Sequence, residues 1–354
     1  MSASHADKTT AKKSQTSKIA LIAIAFLLAA LWLFRAHLQF DWPMLARQLR
    51  QVSLLYVFLA VAITYSGLLL RAVRWSVLLA PMRKVSAREL ISAQFIGFTL
   101  IALLGRITDF ARPWLIARRT HTAFATQLAV YSIERTFDLG AAAILFSLAL
   151  LFAPRNMPHH EAFARAGIVS LAVTLVLTVF ALLLRFAGDR ISALASRLLR
   201  PLSPRLAESA TEHILGFREG LRSISSLREF LTALALSLVM WTGIAAVYWC
   251  SAHAFPASPP LAAFSVSATM LLLASAMGGS LLQLPVLGWF TQIAVLAATL
   301  HGFFAVPLEP ATACATVMLF ATTLSIAPAG IILARIEGIA LRDAARSSST
   351  AASH

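Results

Sequence analysis

Three short clusters of charged residues sit inside otherwise apolar sequence. "RAVRWSVLL" carries Arg71, Arg74 and Trp75, "GRITDFAR" carries Gly105, Arg106, Asp109 and Arg112, and "YSIERTFDLG" carries Glu134, Arg135 and Asp138. A guanidinium group is a planar, bidentate fork that matches a phosphate or a carboxylate. Arg106 has no obvious acidic neighbour, so Arg106 and Arg112, with Arg74, are the candidates for holding a phosphate. Plainer readings stand beside this one. Arg71, Arg74 and Trp75 follow directly on an apolar run and fit interfacial anchors. Asp109 and Arg112, at i and i+3, fit a pair that locks a turn. Glu134 and Asp138 lie one turn apart around Arg135, which leaves one acid unpaired unless another segment supplies an arginine such as Arg106 or Arg112. The spare acid then serves either as a proton relay or, more commonly, as an interhelical bridge.

The elements that position these groups are set by composition. Of 354 residues, 59% are hydrophobic and only 13% charged, about half the charge of a soluble domain, and mean hydropathy is +0.78. Apolar runs lie at about 19–34, 54–70, 90–104, 123–151, 167–184, 230–250, 261–284, 286–304 and 310–333, most of them near the length needed to span ~30 Å of hydrocarbon. The expected fold class is all-α, a polytopic helical membrane protein.

Charge then orders the spans. With the basic 1–18 tail inside, a simple threading would put Arg106, Arg112, Arg118, Arg119 and the eight-arginine segment 185–229 outside, against the positive-inside bias. One change repairs this: residues 90–104 enter, break at Gly105 and return to the same side. A second dip follows in mirror image, because 251–260 and 305–309 hold no Lys or Arg and both read as outside. Its turn is "GGSLLQLPVLGW", with Gly278, Gly279, Pro285 and Gly288 as helix breakers. The result is about six full spans plus two re-entrant or broken-helix hairpins, with both termini cytoplasmic and five of the 30 Lys/Arg outside (Arg35, Arg47, Arg50, Arg155, Arg165). Paired dips from opposite faces resemble transporter folds whose sites lie between the breaks.

The domain plan is a disordered basic tail (1–18), one transmembrane domain (19–340) and a short tail (341–354). Within the domain, 188–229 reads as amphipathic cytoplasmic helices, or as a helical hairpin packed on the bundle. The net charge of +15 belongs to inner loops, so no nucleic-acid partner is expected. Cys250 and Cys314 match no metal spacing. His159, His160 and Glu161 read as solvated loop residues. No P-loop, HExxH or GxSxG is present, and no catalytic residue, metal or cofactor is expected.

"LLLRAVRWSVLL", "GRITDFARPWLIARR" and "YSIERTFDL", in this order, resemble the lysylphosphatidylglycerol synthase transmembrane-region family of flippase-like membrane proteins, in a stand-alone form without the aminoacyl-transferring domain. Thr108 stands where that family prefers Gly, and Asp109 where it prefers Glu. The family's late Pro-Gly-Gly-x-Gly-x-x-Glu appears only as "LPVLGWFTQ", with Gln292 near the acid's place. The resemblance implies a bacterial inner-membrane protein that moves a phospholipid or polyprenyl-linked lipid between leaflets without catalysis. Its partners would be anionic or phosphate-bearing lipids. The alternative is a non-catalytic accessory protein for a glycosyltransferase or lipid-modifying enzyme, docking through 188–229.

Overall fold

A computed structural model describes residues 41–105, 108–151, 160–201, 203, 226–279 and 287–341. The expected first span at 19–34, both tails, most of 188–229, Arg106 and Pro285 lie outside the described residues. The chain divides into two compact units, 1–47 and 48–354. Helix α1 (Trp42–Arg50) starts in the first, where the Asp41 carboxylate accepts from the Met44 N–H at 2.9 Å. All further elements lie in the second.

Helix α2 (Leu54–Leu79) and helix α7 (Leu227–His253) form the most extensive helix–helix contact. Both exceed the ~20 residues that cross a bilayer. The Ser53 N–H donates to the Ala254 carbonyl at 2.8 Å, so the start of α2 and the end of α7 share one side. Helix α5 (Phe124–Leu151) lies against α7 and against α6 (His160–Leu199). α6 is two helical segments joined by a kink at Ala187, and the segment after the kink carries the first residues of the predicted amphipathic stretch. Its face at Ile168, Val169, Val173, Val176, Val179 and Leu183 is exposed, as a lipid-facing surface should be.

The first dip is built from helix α3 (Ala87–Leu104) and helix α4 (Ala111–Thr120). A capping box starts α3: the Ser86 hydroxyl accepts from the Arg88 N–H, and the Glu89 carboxylate accepts from the Ser86 N–H. It ends at Gly105, whose φ of 81° suits a residue without Cβ. The limbs then run antiparallel. A Cβ on Gly97 would lie 2.9 Å from the Arg112 Cβ, and farther from the turn Arg119 donates to the Ser92 hydroxyl. α4 has 10 residues, about 15 Å at 1.5 Å per residue, half of what a bilayer core requires. α4 therefore returns alongside α3 as the second limb of a helical hairpin, too short to cross by itself.

The second dip consists of helix α9 (Val266–Gly279), which follows the short α8 (Pro259–Ala262), and helix α10 (Leu287–Phe304). With 14 residues, about 21 Å long, α9 also stops short of a full crossing. Gly278 and Gly279 end it, and Gly288 opens α10, as the breakers predict. α3 begins beyond the C-terminal end of α2, whereas α9 follows the end of α7 that joins the N-terminus of α2. The two dips thus start from opposite faces. Their tips meet where the Trp289 indole N–H donates to the Ala102 carbonyl at 2.8 Å, capping one of the acceptors that the end of α3 leaves open.

The last crossing, Leu308–Ile336, comprises helix α11 (Leu308–Leu319), a π turn at Phe320–Leu324 and helix α12 (Ile326–Ile336). α12 seats directly on α3: a Cβ at Gly330 would come within 2.0 Å of the Thr99 hydroxyl oxygen and 2.7 Å of the Phe95 carbonyl. Among the described residues, four helical stretches are long and apolar enough to cross a membrane, α2, α3, α7 and 308–336. α5, with 28 residues, has the length and is set apart only by its three charges, Glu134, Arg135 and Asp138. The chain is an all-α, polytopic membrane protein.

Candidate functional site

The charged clusters converge on one buried centre. α2 continues to Leu79, so Arg71 and Arg74 lie within its body. Arg74 is completely buried. It donates from Nη2 to Glu134 Oε1 at 2.6 Å, and from Nη1 to Asp138 Oδ1 and the Ser237 hydroxyl at 2.7 Å each. Trp75, also fully buried, donates from Nε1 to Gln127 Oε1 at 2.9 Å. From the hairpin, Arg112 pairs with Glu134 Oε2 at 2.7 Å and donates to Gln94 Oε1 at 3.3 Å. The rings of Trp75, Phe98 and Tyr131 surround its guanidinium at 5.0, 5.0 and 5.4 Å. A charge this deep is tolerated only when paired and enclosed, and Arg112 is both. Two residues predicted to hold a phosphate, Arg74 and Arg112, therefore have their guanidinium groups committed to carboxylates, and the third, Arg106, is outside the described residues.

Asp109 does not pair with Arg112. α4 begins only at Ala111, so the helical i,i+3 geometry that pairing requires is missing. Instead Asp109 accepts from the Tyr131 hydroxyl at 2.6 Å and approaches Arg135 at 3.9 Å. Arg135 also lies 3.7 Å from Asp138 and 4.9 Å from the Tyr131 ring.

Arg71 differs from its neighbours. Its guanidinium stands 3.5 Å from Asp138 and 3.7 Å from Glu134, looser than the pairs behind it. It lies 5.1 Å from the Phe98 ring, which thus contacts both Arg71 and Arg112. Among the described residues, Arg71, Arg74, Arg112 and Arg135 oppose Asp109, Glu134 and Asp138, four cations against three anions.

Arg71 lines a partly open cavity of about 410 Å³ between α2, α3, α7, α10, the π turn and α12. Phe98, Tyr248, Gln292, Thr322 and Thr323 contribute to its wall, beside apolar groups such as Ile63, Met240 and Ile326. Tyr248 and Gln292 are nearly buried and hydrogen-bonded to each other. On the far side of α7, Trp241 donates to Asp138 at 3.3 Å and closes one end of an apolar groove between α5, α7 and α9 (Leu139, Phe146, Met270, Met277). Gln292 thus belongs to the chamber wall, one turn into α10. Sequence reasoning missed Phe98, Ser237, Trp241 and Tyr248. Only Gln94, Gln127 and Ser237, polar residues within apolar runs, left any signal.

Buried ion pairs, two helical hairpins and a partly open cavity define a polytopic membrane protein with an internal polar site. Residues 20–330 match the model of the Lysylphosphatidylglycerol synthase TM region family, and the chain belongs to that family. No curated protein and no solved structure matches it. It is an integral membrane protein of lipid metabolism or transport.

Proposed function

We propose that the protein moves a phosphate-bearing lipid between leaflets of the bacterial inner membrane, with Arg71 contacting the phosphate and no covalent chemistry. The observation that carries this reading is the cavity itself. Among its described lining residues Arg71 is the sole charged one, and it is the cation by which the described charges exceed the three carboxylates Asp109, Glu134 and Asp138. Excess charge in a low-dielectric interior is costly, and an incoming phosphate monoanion cancels it. Arg74 and Arg112 pin Glu134 and Asp138, which hold Arg71 at the wall without neutralising it. The apolar groove beside Trp241 offers a path for an acyl or prenyl chain. Two helix pairs meeting at Ala102 and Trp289 supply the part that moves, since shifting one dip against the other opens the chamber to alternate faces.

The test is reconstitution of the full chain in vesicles with a fluorescent phosphatidylglycerol, followed by bleaching from outside. Wild type should render the inner-leaflet label accessible, and Arg71→Gln should slow this about tenfold or more, the loss expected of one charge-assisted contact. Equal rates for both proteins would remove Arg71 from the mechanism. Wild-type vesicles indistinguishable from protein-free ones would end the transport reading.

A further inference from the structure

We propose that Arg135 and the groove between α5, α7 and α9 form a second lipid site, outside the chamber. It receives the phosphate of a lipid whose chain lies along the groove, and Asp138 links its occupancy to that of Arg71. The link rests on the phosphate-contacting role given above to Arg71; the site itself does not.

Arg135 is a cation short of partners. It lies near the middle of α5, a helix of 28 residues, and keeps 38% of its side chain exposed. A half-exposed guanidinium at that depth would face hydrocarbon unless a polar group covered it, and an uncovered charge there is costly. No described group hydrogen-bonds it. Asp109 stands at 3.9 Å and Asp138 at 3.7 Å, both too far for a hydrogen bond, and its Nε has no partner among the described residues. Each acid is held more closely elsewhere, Asp109 by the Tyr131 hydroxyl at 2.6 Å and Asp138 by Arg74 at 2.7 Å. Both therefore lose little when Arg135 turns to a phosphate, whose oxygens match the guanidinium fork.

The groove begins one turn further along the same face of α5. Leu139, at i+4 from Arg135, is followed by Ala142 and Phe146, with Met270 and Met277 on α9. The volume is about 320 Å³, and the described lining is apolar except for the Trp241 indole N–H, which donates to Asp138. An apolar trough with a cation one turn from its end has the polarity of a lipid, chain and phosphate in series.

Asp138 joins this site to the chamber. Its Oδ1 is fixed by Arg74 and Trp241. Its Oδ2 accepts no hydrogen bond among the described residues, and lies 3.5 Å from Arg71 and 3.7 Å from Arg135. A phosphate that draws Arg135 away leaves Oδ2 to Arg71, and one that draws Arg71 away leaves it to Arg135. With four described cations against three carboxylates, one phosphate balances the centre. A second would leave buried negative charge uncompensated. The two arginines thus hold one lipid between them, each taking the phosphate as the other releases it.

The experiment reconstitutes the full chain in vesicles with a trace of phosphatidylglycerol or of diacylglycerol, each carrying the same photoactivatable acyl chain. After illumination, label is mapped by mass spectrometry to residues 139–146 and 270–277. Wild type, Arg71→Gln, Arg135→Gln and Ala142→Phe are compared, each with a melting curve. In wild type, phosphatidylglycerol should label the groove about tenfold more than diacylglycerol, the scale of one charge-assisted contact. Arg135→Gln should erase that difference, and Ala142→Phe, which fills the groove, should lower labelling by both probes. Arg71→Gln touches no groove residue, yet it should lower phosphatidylglycerol labelling severalfold, because Oδ2 then holds Arg135 alone. Equal labelling by the two probes in wild type would mean ordinary bilayer contact and overturn the site, whether or not Arg135→Gln folds. A phosphatidylglycerol preference that survives Arg135→Gln would overturn it equally. A preference lost in Arg135→Gln but untouched by Arg71→Gln would keep the site and overturn the link through Asp138. The bleaching assay on Arg71→Gln reports separately on the chamber, so a failure there leaves an Arg135-dependent label standing.

Discussion

Arg74 and Glu134, 60 positions apart in sequence, meet at 2.6 Å with neither side chain exposed to any degree. The contact joins α2 to α5, and because Glu134 also receives Arg112 at 2.7 Å, it fixes the re-entrant hairpin to the same point. One carboxylate thus compensates two guanidinium groups arriving from separate elements. Glu134→Gln should leave Arg112 without a carboxylate and Arg74 with Asp138 alone, and cost about 3–5 kcal/mol, the range for breaking a buried ion pair from one side. Thermal unfolding in detergent reads this directly. A melting curve that coincided with wild type would mean that the two arginines find other partners.

Gly330 is where α12 touches the backbone of α3. Gly330→Ala would drive a methyl group to 2.0 Å from the Thr99 hydroxyl oxygen, so the helices must separate. Overpacking of this kind costs about 1–3 kcal/mol. Thr99→Ala in the same chain removes the nearest atom but not the Phe95 carbonyl at 2.7 Å, so rescue should be partial. Full rescue would place the whole conflict on the hydroxyl, and no loss in the single variant would show that α12 slides freely.

The hairpin makes a topological prediction. Cysteines at Arg88, one residue into α3, and Arg118, near the end of α4, should react with an impermeant thiol reagent from the same side of the membrane. Reaction from opposite sides would require residues 87–120 to cross. Gly105→Ala should weaken the break, because φ of 81° is costly for a residue with Cβ, about 1–3 kcal/mol. Its signature would be a lower melting point with the labelling pattern unchanged.

Most of the frame was legible in the sequence because it follows from one-dimensional quantities. Apolar run length anticipated α5, α7, α10 and the 308–336 crossing within a few residues, and charge bias together with Gly105 revealed the first dip. The site was legible only in composition. Arg71, Arg74, Arg112, Glu134 and Asp138 stood out as charges in apolar surroundings, but which of them remains at a cavity wall depends on partners far away. Arg74 and Asp138 are 64 residues apart, Arg74 and Ser237 163, and nothing local encodes either pairing. Asp109 misled for a related reason: i,i+3 spacing implies a contact only if both residues lie in one helix, and Phe110 is the N-cap of α4. Tyr248 resembled any aromatic in a span until α10 brought Gln292 beside it.

Arg71 and Arg74 lie one turn apart on α2 and carry the same side chain, yet their environments assign them different work. Arg74 makes three short hydrogen bonds and is fully buried, whereas Arg71 contacts the same acids at 3.5 and 3.7 Å and keeps 13% of its side chain exposed. Removing Arg74 leaves two carboxylates short of a partner, so Arg74→Gln should lose about 3–5 kcal/mol of stability together with all transport. Removing Arg71 takes away only the looser cation; Arg71→Gln should cost clearly less stability than Arg74→Gln and still impair lipid movement. Lysine separates the roles further. Arg71→Lys keeps a charge at the chamber and should retain part of the transport rate, while Arg74→Lys cannot reach Glu134, Asp138 and Ser237 together and should melt nearly as early as Arg74→Gln. Melting curves and vesicle assays on the four variants together check the assignment. It fails if stability and transport fall in parallel at both positions, because Arg71 would then be one more structural member of the buried network.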